Sequence, residues 1–200
     1  MAGVDAIAGE RARWETIEWD AVETHARRPK NATILANSTG HYTVAVWGDV
    51  GIVHWMRQAD GTAMQRVQDS FKSVVANHPR GVSFIHLVDD GAGLPDPDAR
   101  RVLTDMMAGF AEVTVCVAVV LMGAGFWASA LQSLLTGMRL FAPPRPWTMR
   151  FAMRPAELRK WLPPLHEQRT SQPLHFDELE AAIHGVLSSG ASQPESRDVR

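Results

Sequence analysis

Val113-Thr-Val-Cys-Val-Ala-Val-Val-Leu121-Met-Gly123-Ala-Gly125-Phe-Trp-Ala-Ser129-Ala-Leu-Gln132-Ser133-Leu-Leu-Thr136-Gly-Met138 contains no charged residue. About 20 apolar residues can span a bilayer as a helix, so the way this stretch divides decides the fold. Val113 to Leu121 is dense in β-branched residues and reads as a strand. Gly123 and Gly125 punctuate it. From Phe126 the apolar residues Trp127, Leu131, Leu134, Leu135 and Met138 recur on a helical period, with Ser129, Gln132, Ser133 and Thr136 between them. Strand, turn and helix account for the pattern, and a membrane helix does not.

Working outward, the same unit recurs. Val82 to Val88 is a strand apolar on both faces, as a central, parallel, buried strand should be. Asp96-Pro97 starts a helix with a capping carboxylate and proline at the first position. Its stripe is Val102, Leu103, Met106, Met107 and Phe110. Upstream, His41 to Trp47 and Val50 to Met56 are strands joined by Gly48-Asp49, a glycine-first pair suited to a type II′ hairpin. Asp60 caps a helix striped by Met64, Val67, Phe71, Val74 and Val75. Ala32 to Asn37 is a further short strand. Downstream, Trp147 to Met153 reads as an edge strand. Pro155 opens a short helix ending at Leu162, before Pro163-Pro164, and Leu174 to Leu187 is amphipathic. The expected fold is therefore α/β: a mostly parallel sheet with an N-terminal hairpin, helices packed on it, and helical extensions at both ends. The expected organisation is a helical arm and linker over 1–40, with Trp14 and Trp19 packing on something. An α/β domain over 41–162, a linker and helix over 163–187, and a polar, disordered tail over 188–200 follow.

Element order, the piece Phe84-Ile-His-Leu-Val-Asp-Asp90 through Asp96-Pro-Asp-Ala-Arg-Arg101, and the closing pattern Phe151 through Trp161-Leu162 carry a family resemblance. From about His41 to Leu162 the chain resembles the STAS domains, which include bacterial anti-sigma-factor antagonists, and most of all divergent STAS-like proteins of unassigned role. The resemblance implies a regulatory module acting through protein–protein contacts. Kinase-switched members carry a phosphorylatable serine where the helix after the central strand begins. This chain has Leu94-Pro95-Asp96-Pro97-Asp98-Ala99 there, with no Ser or Thr. Asp96 and Asp98 supply fixed negative charge at that helix N-terminus, so a retained partner surface would be constitutive. Helix capping alone also accounts for both residues.

Composition narrows the function further. Among 200 residues the net charge is −2, which gives no basic field for nucleic acid. The single cysteine, Cys116, excludes an intramolecular disulfide and reads as a buried, inert thiol. No basic-then-apolar leader opens the chain, so a cytoplasmic location is expected. The eight histidines form no ligand spacing, and His54 and His86 read as core residues of strands. No nucleophile elbow, Walker loop or His-Glu-x-x-His motif occurs, so no enzyme, cofactor or metal is expected.

Two glycine turns fall at the carboxyl edge of the sheet, where ligands of open α/β sheets bind. Gly123-Ala-Gly125-Phe-Trp-Ala128 formally fits the dinucleotide fingerprint. No Asp or Glu lies between Glu112 and Glu157 to bind a ribose, so a tight turn is the preferred reading, with an anionic ligand as the alternative. Asp89-Asp90-Gly91-Ala92-Gly93 could hold a divalent ion but lacks calcium-loop spacing. A carrier of a small apolar or anionic ligand, bound near Asp89–Asp96 and Gly123–Gly125, is the rival to the regulatory reading. Finally, the helix beginning at Phe126 offers Ser129, Gln132, Ser133 and Thr136 where a solvent-facing surface normally carries charge. That face, with Trp127, is expected to be covered by a second copy in a homodimer, the N-terminal arm, the C-terminal helix or a membrane surface.

Overall fold

The computed structural model describes residues 28–123, 125–140 and 146–191. The expected helical arm lies outside them, Arg28 excepted, as do Trp14, Trp19 and the tail from residue 192.

The chain is α/β, with one six-stranded sheet in sequential order. Its strands are β1 (Thr33–Ser38), β2 (Tyr42–Trp47), β3 (Val50–Trp55), β4 (Val82–Asp89), β5 (Thr114–Met122) and β6 (Thr148–Ala152). β1–β2 and β2–β3 pair antiparallel, and β3 through β6 are parallel. At the β2–β3 turn Gly48 takes φ +59° while Asp49 stays at negative φ, the combination that a type II′ turn demands.

The crossovers are α1 (Gly61–Asn77), α2 (Pro97–Gly109) and α3 (Phe126–Leu140). Both sequence-read caps are made: Asp60 accepts from the Ala63 N–H and Asp96 from the Ala99 N–H, each at 2.7 Å. The sheet steps in one direction from β3 to β6, and parallel crossovers are right-handed, so all three helices fall on one face. Met64, Val67 and Phe71 of α1, Leu103 and Met106 of α2, and Leu131 and Leu135 of α3 are buried there. Gly51 of β3 lets the Phe71 and Phe84 rings close in: a Cβ on it would lie 2.9 Å from both.

Three crossovers on one face leave the other bare, and the chain after β6 covers it. A 3-10 turn (Pro155–Lys160), α4 (Leu162–Thr170) and α5 (Phe176–Ala191) follow. Leu158, Leu162, Leu179, Ile183 and Val186 pack against Val50, Ile52, Ile85, Leu87 and Val120. The segment beyond Leu162, expected as an extension, thus supplies the cover of the second core cluster, and β1, placed with the arm, is part of the sheet. Pro163 and Pro164 open α4 instead of closing the preceding helix. In a first turn the N–H that proline lacks has no intrahelical partner anyway. Likewise α5 runs through Ser188 to Ala191, where a polar tail is expected.

Val113–Met138 divides into β5 and α3, and among the described residues no helix is long and apolar enough to cross a membrane.

Candidate functional site

Between the sheet and α2–α3 lies a cavity of about 70 Å³. Alternation sends every second residue of a strand to one face, and here Phe84 and His86 of β4, Val117 and Val119 of β5, and Met149 of β6 form the floor. Leu103, Met106 and Met107 of α2 and Leu131 and Leu135 of α3 form the roof, with Met64 of α1 beside them. Arg57, Gly93 and Pro95 stand at the rim, where Arg57 is exposed and the other two are half-buried.

Two polar side chains of the strands line the cavity: Thr114, whose hydroxyl donates to the Phe110 carbonyl at 2.8 Å, and His86, only 9 % exposed. In the sheet register His86 lies between Val53 and Val119, so its in-plane neighbours are apolar. Its Nδ1 accepts from the Trp55 indole N–H at 3.3 Å. Burial pushes its pKa down to about 4, which leaves the ring neutral near pH 7.

The residues of the expected ligand edge are engaged largely with one another and with their neighbours. Asp89 is bonded to His54 Nε2 at 2.8 Å. Asp90 packs on Gly123, whose absent Cβ would sit 2.5 Å from the Asp90 carboxylate, so the two glycine turns meet through that side chain and not across a gap. Gly91, Gly93 and Gly125 all take positive φ, as tight turns require. Of this group only Gly93 reaches the cavity. Asp96 is occupied as the α2 cap, and Asp98, 68 % exposed at its side chain, pairs with Arg101 at 3.2 Å. Among the described residues no cluster of three or more His, Cys, Asp or Glu could hold a metal ion.

On α3, Ser129, Gln132, Ser133 and Thr136 are exposed, while Ala128, Leu131 and Leu135 face the core. Trp127 is half-buried against that core, its indole N–H without a partner among the described residues. Of the covers considered, the C-terminal helix is accounted for elsewhere: α5 lies on the opposite face of the sheet.

A polar cluster that no sequence motif announces lies under α4. His166 Nε2 lies 3.0 Å from both Asp49 Oδ2 and Arg28 Nη2, so it either donates to the carboxylate or accepts from the guanidinium, and its Nδ1 meets the Ser83 hydroxyl at 2.8 Å. Arg28 pairs with Asp49 at 2.7 Å, and its guanidinium lies over the Trp47 ring at 4.8 Å. Burial pushes the Asp49 carboxyl upward, but the His166 hydrogen bond and the charges of His166 and Arg28 outweigh it and hold the group below its ordinary range. The thiol of Cys116 donates to Ser83 at 3.4 Å, and burial pushes it up to about 11. Serine, histidine and aspartate in sequence invite comparison with a nucleophile relay. Ser83 and His166 are, however, 0 % exposed, and the cavity is on the other face of the sheet. In this arrangement the cluster fastens residue 28, the β2–β3 turn, β4 and α4 to one another.

No protein-family model, curated protein or solved structure matches the chain.

Proposed function

We propose that this chain is a non-catalytic binding protein, a carrier or sensor that takes a small apolar molecule between its sheet and helices α2 and α3. The observation that carries the reading is the cavity itself: mainly apolar on floor and roof, with one neutral imidazole and a threonine hydroxyl already bonded to the Phe110 carbonyl. Pockets of mainly apolar lining with few polar groups are the usual form of small-molecule sites. At 70 Å³ it is about half the size of a ~150 Å³ cavity that holds benzene, so a rigid occupant has only a few heavy atoms. Methionine side chains adapt their shape readily, and Met64, Met106, Met107 and Met149 line the space, so a five-membered ring enters by displacing them.

That arrangement supplies its own test. The chain has nine methionines. Titration of protein carrying ¹³C-methyl methionine with cyclopentane should move the methyl signals of those four and leave Met56 and Met153, which do not line the cavity, in place. Uniform small shifts, or none up to the solubility limit, would refute the reading.

A second reading keeps the STAS-like regulatory role and a partner surface, with a second copy of the chain as the partner. The exposed, uncharged Ser129-Gln132-Ser133-Thr136 face of α3 favours it. Light scattering should then report a dimer that Ser133→Arg dissociates, whereas a monomer at every concentration counts against it.

A further inference from the structure

Resting on the cavity reading above, we propose that the occupant is a neutral molecule with one hydrogen-bond acceptor, a small ketone, ester or ether, whose oxygen accepts the Nε2–H of His86. An indole nitrogen can only donate, so the 3.3 Å contact with Trp55 makes Nδ1 of His86 the acceptor. An imidazole whose Nδ1 is an acceptor carries its proton on Nε2. Trp55 thereby selects the tautomer and turns the rest of the ring into a donor. The Trp55 bond is the one hydrogen bond of the His86 ring among the described residues, and that ring lines the cavity.

The same surroundings select against other chemistries. A hydrocarbon leaves the N–H unanswered, and a buried donor without a partner is costly. A carboxylate would bring a charge onto a floor where Phe84, Val117 and Val119 offer nothing to compensate it, and the charged group on the cavity lining is Arg57, at the rim. A cation would meet a donor. Burial keeps the ring neutral well below pH 7, so the donor is present without a charge. An uncharged oxygen on a compact apolar body answers all three conditions.

The experiment compares cyclopentanone, cyclopentane and cyclopentanecarboxylate on the full-length chain, reading the methionine methyls and the ¹⁵N signals of His86. Cyclopentanone should bind about 2- to 10-fold more tightly than cyclopentane, the effect of one neutral hydrogen bond. It should move the His86 Nε2 signal, which cyclopentane should move far less. His86→Phe should erase the preference while cyclopentane still binds. Equal affinities, or a His86 Nε2 signal unmoved by the bound ketone, would overturn the proposal while leaving the cavity reading intact. Tighter binding of the carboxylate would also overturn it and would point to Arg57. If none of the three moves the cavity methyls, the cavity reading fails and this inference fails with it.

Discussion

Acidification should weaken the folded state through His86 before any carboxylate contributes. The ring is buried, with a folded-state pKa of about 4 against 6.5 for an ordinary histidine. Because the folded value is the lower one, the unfolded chain takes up a proton first. Stability is therefore complete above about pH 6.5 and is lost as pH falls through the interval down to about 4. A difference of about 2.5 pKa units corresponds to about 3 kcal/mol. Typical domains are stable by only about 5–15 kcal/mol, so the loss is a large fraction of the whole. Urea unfolding of the wild type and of His86→Gln, followed across that interval, isolates the effect. Glutamine keeps an acceptor for the Trp55 N–H and does not titrate. The wild-type curve should fall by about 3 kcal/mol more than the variant's, or about 1.5 M in midpoint at an m-value of about 2 kcal/mol/M. Parallel curves for the two proteins would refute the assignment of a buried, neutral His86.

Asp49→Ala strands the Arg28 guanidinium and His166 in the interior and should cost about 3–5 kcal/mol by urea denaturation. Since its folded pKa is depressed, the wild-type carboxylate contributes above its unfolded pKa of 3.8, and the variant should lack the further loss seen as pH falls below that value. Gly51→Ala drives a methyl against Phe71 and Phe84 and should lower stability by about 1–3 kcal/mol in thermal unfolding. Ile183→Ala empties a fully buried site under α5 and should cost about 2–5 kcal/mol in the same assay, a result that an independent C-terminal extension would not give. Asp96→Ala should cost about 1 kcal/mol through the lost α2 cap. Asp98→Ala, exposed and paired only with Arg101, should stay within about 0.5 kcal/mol of wild type.

Local rules reached a good part of the way into this molecule. Asp60 and Asp96 cap helices because the donor they satisfy is three residues away, and a hydrogen bond over that span is written in the order of residues. Gly48 announced the hairpin for the same reason. Pro163-Pro164 reads from sequence as the stop of a helix ending at Leu162 and instead opens α4, since proline sits beyond helix ends and also in first turns, and packing of Leu158 and Leu162 on the sheet goes with the second use. The uncharged face of α3 was visible as composition, but composition does not tell exposed from covered.

The candidate site was legible least. His86 was visible as a strand histidine on an apolar alternation, but its partner Trp55 lies 31 residues away and belongs to a different strand. The cavity is a difference of side-chain volumes contributed by four strands and three helices, a quantity no local window contains. The Asp49–His166 bond spans 117 residues and the Ser83–His166 bond 83, so neither has a motif to betray it. The sequence by itself determined the strands, the crossover helices, their caps and hence one covered face, because periodicity, capping and crossover handedness act over short stretches of chain. Only the tertiary structure decided what covers the second face, which histidine faces a cavity and which is locked to Asp49, because those outcomes depend on which distant side chains arrive together.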